Sequence, residues 1–80
     1  MTLDDAVAWR LRERMDAANI KSITELHRRI RAIAPDAIKY ARLARIVDTP
    51  PARLSLRTLA ALTLVLDCRP GDILDPQKDA

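Results

Sequence analysis

Aliphatic side chains recur every three or four residues in four separate segments of this 80-residue chain. That spacing places them along one face of an α-helix, so each segment can bury an apolar stripe against the others. Gly71 is the only glycine, and this scarcity argues against β-hairpins and for helices joined by proline or polar turns. With one Trp, one Tyr and no Phe, the core must consist of leucine, isoleucine, valine and alanine. We therefore predict an all-α fold in a single domain over residues 1–80, with an ordered core at about residues 3–74.

The first predicted helix runs from about Leu3 to Ala18. Thr2 is its expected N-terminal cap, and Asn19 is its expected left-handed terminator. Trp9 lies beside the apolar stripe, so we expect its ring to be a partly buried cover on the core rather than a ligand-binding group.

The second predicted helix opens with Ser-Ile-Thr-Glu at positions 22–25, which has the form of a capping box. In this arrangement the Ser22 hydroxyl accepts from the backbone three residues on, and the Glu25 carboxylate reaches back. An apolar stripe follows at once: Ile23, Leu26, Ile30 and Ile33. His27 lies near that stripe and has no second His or Cys at metal-ligand spacing, so we expect it to pack rather than to bind a metal. Pro35 ends this helix or begins the next.

The segment from Asp36 to Asp48 predicts a short helix with two different faces. Its buried face carries Leu43, Ile46 and Val47, and its outward face carries Ala41, Arg42 and Arg45. Ile38 is out of phase with the buried face, so we expect it to pack from a turn and the helix to begin just after it. A small residue beside arginines suits close approach to an anionic surface, and such a helix after a bend is typical of DNA reading.

Residues 49–53 form a loop by composition, with two consecutive prolines. Ser55 is the expected cap of a fourth helix, which runs from Leu56 to about Leu66. We expect it to be the most buried helix, with an apolar face formed by Leu56, Leu59, Ala60, Leu62, Thr63 and Leu66. Residues 67–74 then close it with one short turn, and residues 75–80 are polar and expected to fray.

Positive charge is concentrated in the middle of the chain, although the net charge is only +3. Between Lys21 and Arg57 there are nine basic and three acidic residues, a net charge of +6, whereas the two ends together carry −3. A phosphate backbone is the commonest partner of such a basic block. A solvated surface is the alternative, and we favour the nucleic-acid interpretation because the charge coincides with the middle helices.

The sequence lacks the residues that several functional classes require. Cys68 is the only cysteine, so neither an intramolecular disulfide nor a zinc cluster can form. We expect Cys68 itself to be a small buried side chain at the end of a helix. One histidine and scattered carboxylates offer no nucleophile–base pair, so we predict no enzyme, no cofactor, no metal and no small-molecule ligand. No apolar run reaches membrane-spanning length and the acidic N-terminus lacks a signal peptide, so we expect a cytoplasmic protein without a membrane partner.

Five short sequences follow one another along the chain: Leu-Arg-Glu-Arg at 11–14, Thr-Glu-Leu at 24–26, Tyr-Ala-Arg-Leu-Ala-Arg-Ile-Val-Asp at 40–48, Leu-Arg-Thr-Leu-Ala-Ala-Leu at 56–62 and Leu-Asp-Cys-Arg-Pro-Gly-Asp-Ile-Leu at 66–74. In this order they resemble the Cro/C1-type (XRE-like) helix-turn-helix family of bacterial and phage regulators. The resemblance implies a compact, lambda-repressor-like bundle of four to five helices whose second and third helices contact DNA. The chain departs from the family in two places. The segment from Ile30 to Asp36 is longer than the tight glycine-containing turn of the family, carries Pro35 and has no glycine, so either the second helix is extended or an extra turn is inserted. Ile23 stands where glutamine is frequent.

The resemblance also implies roles for individual residues. Base-reading residues at the recognition helix would be Lys39, Tyr40, Arg42 and Arg45. Phosphate contacts would come from Lys21, Ser22 and Arg53, and the charged face of the second helix adds Arg28 and Arg31 as phosphate candidates. Salt bridges to Asp48 or to neighbouring carboxylates are the alternative for Arg42 and Arg45, and packing on the core is the alternative for Tyr40. Arg10, Arg12 and Arg14 are expected to form a solvated helix face.

These features together predict a sequence-specific DNA-binding transcriptional regulator, either a repressor or an activator. It would act as a homodimer on a symmetric double-stranded operator or promoter. The alternative is a helical protein-binding module, such as an antitoxin-like partner or an anti-activator. Nonspecific nucleic-acid binding is a third hypothesis.

Overall fold

The structure, a computed structural model, describes residues 7–76 of the chain. Over that range the backbone forms five helices and two three-residue strands. In order they are β1 (Val7–Trp9), α1 (Leu11–Ala17), α2 (Ile23–Ile33), α3 (Tyr40–Ile46), α4 (Leu56–Leu66), α5 (Pro70–Ile73) and β2 (Leu74–Pro76). The predicted all-α bundle of four to five helices is confirmed, whereas the pair of strands was not predicted.

One contiguous hydrophobic core lies between the helices. Every helix contributes a completely buried aliphatic side chain, namely Leu11, Leu26, Leu43, Leu62 and Ile73 in chain order. Burying a leucine or isoleucine in this way stabilises the fold by roughly 1.5–3 kcal/mol relative to leaving it in water. Because these side chains are covered only when the helices pack together, the core fixes the helices relative to one another.

The first helix begins at Leu11, so the predicted start at about Leu3 was wrong. Residues 7–9 form β1 instead, which pairs antiparallel with β2 so that the first residue of one strand lies opposite the last of the other. Residues 2–6, with the predicted cap Thr2, lie outside the described part of the chain. Asn19 follows α1 with a left-handed φ of 59°, as predicted. Residues 75 and 76 belong to β2 rather than to a frayed end, and residues 77–80 are not described.

Trp9 connects the N-terminal strand to the third helix. Its indole nitrogen donates a hydrogen bond of 2.7 Å to the carbonyl oxygen of Ile46, the last residue of α3. The backbone nitrogen of Arg10 donates to the carbonyl oxygen of Ile73, also at 2.7 Å. The ring of Trp9 is partly buried against the core, as predicted. These contacts join residues far apart in sequence, and they draw residues 7–10 out of the helix that the local apolar spacing favours.

α2 begins after Ser22, whose hydroxyl oxygen accepts a 3.1 Å hydrogen bond from the backbone nitrogen of Glu25, as predicted. Glu25 does not complete the capping box, because its carboxylate accepts from two arginines of the same helix. The predicted apolar stripe is buried at Leu26 and Ile30, whereas Ile33 at the end of α2 is half exposed. The core therefore covers the apolar stripe as far as Ile30 but only half covers the final residue of α2.

α4 turns a different face inward from the predicted one. It is the most buried helix, as predicted, with four buried residues against two or fewer in each of the other helices. Of the predicted face, only Leu62 and Leu66 are buried. The exposed or partly covered members are Leu56, Leu59, Ala60 and Thr63, and Thr58 and Ala61 occupy the core instead. Aliphatic residues occur on almost every side of this helix, so apolar spacing alone does not define its inner face.

The connection between α2 and α3 is held by side chains from α4 and α2. The Thr58 hydroxyl donates to the Ala37 carbonyl oxygen at 2.7 Å, and Nε2 of His27 lies 3.2 Å from the Ile38 carbonyl oxygen. Because a carbonyl oxygen only accepts hydrogen bonds, His27 carries its proton on Nε2. Ile38 is buried just before α3 begins at Tyr40, which confirms that it packs from a turn ahead of the helix. The connection between α2 and α3 is therefore anchored at two consecutive carbonyls.

Thr58→Val should destabilise the fold by about 1–3 kcal/mol, because valine keeps the shape but leaves the Ala37 carbonyl without its donor. Thr58 is only 5% exposed, so water cannot easily replace the lost hydroxyl. Urea unfolding followed by circular dichroism measures the change. Thr63→Val is the matched control: its hydroxyl donates to the Ala60 carbonyl of its own helix in an exposed setting. The control should change stability by less than about 0.5 kcal/mol, and equal losses in the two variants would contradict the anchoring role.

Candidate nucleic-acid interface

α3 turns one face to the core and the other to solvent. Leu43, Ile46 and the following Val47 are buried, which confirms the predicted inner face. The residues on the outer side are all exposed: Lys39, Tyr40, Ala41, Arg42 and Arg45. Lys39 stands at the N-cap position and makes no capping hydrogen bond, so burial of the inner face must anchor this seven-residue helix. The cationic face therefore stays outside while the helix itself is fixed.

Arg42 is held by the loop that follows α3. Its Nη2 atom donates a 2.6 Å hydrogen bond to the backbone carbonyl oxygen of Arg53. The bond joins two residues eleven positions apart, so it fastens the proline-containing loop to the outer face of the helix. Arg42 therefore reaches solvent with its guanidinium already oriented.

Asp48, the alternative partner considered for Arg42 and Arg45, pairs with Arg12 instead. The Arg12 guanidinium donates two hydrogen bonds, of 2.5 and 2.8 Å, to the two carboxylate oxygens of Asp48. The hydrogen bonding from Arg12 lowers the pKa of the Asp48 carboxyl. Arg12 was expected on a solvated helix face, and although half exposed it links α1 to the end of α3. This ion pair occupies the Asp48 carboxylate, which therefore does not compete for the arginines of α3.

A shallow groove beside α3 gathers three of the predicted DNA-contacting residues. Arg42, Arg45 and Arg53 line it, together with Ile46 and residues 49–52, and its volume is about 390 Å³. The lining contains no acidic residue, so three guanidinium groups set the potential of the groove. Within residues 7–76, the Arg45 side chain has no hydrogen-bond or ion-pair partner, so all five N–H donors of its guanidinium group are available to a ligand.

The start of α2 supplies further exposed polar groups. Lys21 and Ser22 are both exposed there. One turn on, the Glu25 carboxylate accepts from Arg28 at 2.5 Å and from Arg29 at 2.9 Å. The hydrogen bonds from Arg28 and then Arg29 lower the pKa of the Glu25 carboxyl. A phosphate that contacts Arg28 must therefore compete with Glu25.

Arg28 and Arg31 lie together on the outer side of α2. They share a second open groove, of about 510 Å³, with Thr24, His27 and Pro35. Both arginines are exposed, and the lining again contains no acidic residue. The structure thus brings these two phosphate candidates into one concave basic surface.

Tyr40 joins the first turn of α3 to α2. Its ring meets the ring of His27 edge to face, with centroids 5.5 Å apart and planes at 88°. Its hydroxyl lies 3.5 Å from the Thr24 hydroxyl, and the residue remains 46% exposed. Tyr40 thus packs on α2 rather than in the main core, and much of it still faces solvent. The sequence prediction missed Thr24 and His27 as positioning residues, although their three-residue spacing on one side of α2 was an available signal.

Cys68 is half-buried against the core just after α4. Burial raises the pKa of its thiol, so the nucleophilic thiolate is suppressed at neutral pH. This agrees with the expectation of a small packed side chain rather than a reactive cysteine.

An anchored cationic helix beside a second packed helix is the arrangement that the sequence resemblance implied. A scan against protein-family models matches residues 10–79 to the Cro/C1-type HTH DNA-binding domain. The chain belongs to this family. The match includes all five helices found in the described range. No curated protein and no solved structure matches the chain significantly.

In this Cro/C1-type HTH domain, the segment between α2 and α3 spans residues 34–39. Residues 30–33 of the lengthened segment belong to the end of α2, and residues 34–36 belong to this connection, whose course is fixed by the hydrogen bonds from Thr58 and His27. Among the helices of residues 7–76, none is both long enough and apolar enough to cross a membrane.

Proposed function

We propose that this chain is a sequence-specific transcriptional regulator that inserts α3 into the major groove of double-stranded DNA. It acts in the cytoplasm, as a homodimer assembled on a symmetric operator. The observation that carries the proposal is the outer face of α3, where exposed arginines stand on a helix whose other face is buried. A seven-residue helix is about 10 Å long, and the major groove is about 12 Å wide and admits an α-helix.

The base-reading residues of the proposal are Lys39, Tyr40, Arg42 and Arg45. The hydrogen bond from Arg42 to the Arg53 carbonyl uses one of five N–H donors, so a bidentate contact with the O6 and N7 atoms of a guanine remains available. The same bond restricts the Arg42 side chain before DNA arrives, which reduces the entropy lost on binding. Arg45, which needs no rearrangement, is the second candidate for a guanine contact.

The phosphate contacts of the proposal surround that helix. Its members are Lys21, Ser22, Arg28, Arg31 and Arg53, all of which are exposed. They occupy the start of α2, the groove on its outer side and the loop after α3. Such contacts position a protein on the duplex without reading its sequence.

A homodimer follows from the size of the module. One domain with a single short recognition helix reaches few base pairs, whereas two copies on a symmetric operator double the contacts. The two half-sites should then lie about 34 Å apart, or at a multiple of that distance.

The test is a salt titration of binding to the DNA upstream of its own gene and to a scrambled fragment of equal length. A specific regulator should prefer the upstream fragment by roughly 10³-fold or more, and its affinity should fall steeply with salt. Equal affinity for both fragments would instead indicate nonspecific binding. No binding to either would favour the helical protein-binding module.

Arg53→Ala should weaken binding to all sequences alike and reduce the slope of log affinity against log salt by about 1. The substitution removes one cation but keeps the backbone carbonyl that Arg42 uses. Arg29→Ala is the charge-matched control, because the Arg29 side chain is already paired with Glu25 and is not among the proposed contacts. A change in base preference in Arg53→Ala, or an equal slope change in the control, would argue against this role for Arg53.

A further inference from the structure

The outer face of α4 carries an apolar stripe that nothing in the described structure covers. Leu56 is 83% exposed and Leu64 is 66% exposed, and Ala60 is exposed between them. Residues four apart lie one above the other on the same side of a helix, so the three form one continuous stripe. The residues of α4 that the core buries, Thr58, Ala61, Leu62 and Leu66, do not include any member of this stripe.

We infer that this stripe is the surface on which a second copy of the chain docks, with its own α4 running antiparallel. The inference rests on the proposed homodimer and names its interface. The order Leu56, Ala60, Leu64 reads the same in both directions along the helix. A two-fold axis at Ala60 therefore places Leu56 of each copy against Leu64 of the other, which is the self-complementarity that a symmetric dimer requires. The small Ala60 at the axis lets the two helices approach closely.

Charges at the two ends of α4 select the same orientation. Arg57 is exposed near its start and Asp67 is exposed just after its end. Neither side chain has a hydrogen-bond or ion-pair partner among residues 7–76. Antiparallel docking brings Arg57 of each copy toward Asp67 of the other, whereas parallel docking would place like charges together. Such pairing fixes the orientation more than it adds affinity.

The size of the stripe predicts how the dimer behaves. Two leucines and an alanine cover on the order of a few hundred Å² per copy, below the roughly 800 Å² per partner of a standard stable interface. The free protein is therefore mainly monomeric at micromolar concentration. Two copies on adjacent half-sites meet at an effective concentration of roughly millimolar, where a weak contact suffices. The contact therefore makes the binding of two copies to adjacent half-sites cooperative.

A cross-linking experiment tests the surface without DNA. Ala60→Cys in a Cys68→Ser background is oxidised by dissolved oxygen, beside Ala32→Cys, an exposed position on α2, in the same background. The Ala60→Cys protein should form the disulfide dimer at least about tenfold faster, because its thiols meet across the axis at bonding distance. Equal rates would overturn the inference.

A binding experiment then tests cooperativity on DNA. The site is first located by footprinting the DNA upstream of the gene, and it is used intact and with one half-site replaced. Leu64→Glu should abolish cooperative filling of the intact site while leaving affinity for the single half-site unchanged. Ile33→Glu, at a half-exposed aliphatic residue on α2, should preserve cooperativity. Retained cooperativity in Leu64→Glu would overturn the inference and leave DNA binding intact. If the unmodified protein does not bind the half-site, the proposed function is contradicted. The cross-linking experiment still tests the α4 surface in that case, because it uses no DNA.

Discussion

Arg45→Ala should lower affinity for the preferred operator by roughly 5- to 150-fold per half-site, because a bidentate arginine–guanine contact supplies about 1–3 kcal/mol of discrimination. Binding to scrambled DNA should change much less. In a dimer the substitution acts at both half-sites, so the combined loss is approximately the square of the single effect. Affinity measured on half-site, full-site and scrambled fragments at one salt concentration separates these terms.

The structure gives a physical reason to place the largest effect at Arg45 rather than at Arg42. The exposed Arg45 side chain has no partner within residues 7–76, so after binding only the DNA can replace the hydrogen bonds that its guanidinium group makes to water. Arg42 already donates to the Arg53 carbonyl, so Arg42→Ala should relax base preference and also release the loop. Arg29→Ala, with the same loss of charge, should affect all fragments equally and only weakly. If Arg45→Ala weakens scrambled and preferred DNA by the same factor, Arg45 contacts phosphate rather than bases.

Leu43→Ala should destabilise the protein by about 2–5 kcal/mol, the range for truncating a fully buried leucine. Leu43 is completely buried on the inner face of α3, so the change removes the anchor of this helix, which we propose enters the DNA groove. A domain of this size has a total stability of roughly 4–12 kcal/mol, so the loss is a large part of the whole. The melting temperature should fall by roughly 10–40 °C in a thermal scan followed by circular dichroism.

The same truncation at an exposed leucine is the control for this experiment. Leu56→Ala removes the same atoms from a side chain that is 83% exposed. At protein concentrations low enough to keep the chain monomeric, it should alter stability by less than about 0.5 kcal/mol. Similar melting temperatures for the two variants would show that the inner face of α3 does not anchor the helix.

Much of the fold could be predicted because its signals are local. Ser22 and Ser55 cap α2 and α4 at the predicted positions, each accepting from a backbone nitrogen three residues on. The two faces of α3 followed from the spacing of Leu43 and Ile46, because polar and apolar residues separate cleanly on that helix. Where a short segment alone determines the outcome, the sequence suffices.

The predictions were wrong where contacts between residues far apart in sequence determine the local structure. Residues 7–9 have helical apolar spacing, yet they pair with residues 74–76 at the other end of the chain. The Arg12–Asp48 ion pair spans 36 positions, and no local pattern identifies it. The partner of Arg42 is a backbone carbonyl, which every residue carries, so its sequence holds no signal at all.

The predicted inner face of α4 was wrong for a different reason. Its residues are apolar on nearly all sides, so the spacing was compatible with more than one inner face. The observed face brings the Thr58 hydroxyl to the Ala37 carbonyl, and it leaves Leu56 and Leu64 outside. A buried polar contact thus marks the face that aliphatic spacing left undefined, and the surplus leucines become available for assembly.

Trp9 is the only tryptophan in the chain, and its indole nitrogen is bonded to the last carbonyl of α3. The protein therefore contains one indole fluorophore, whose nitrogen is bonded at the carboxyl end of α3. The emission wavelength of Trp9 reports whether the indole stays bonded to the end of α3 during heating or while DNA is added, with no dye attached to the molecule.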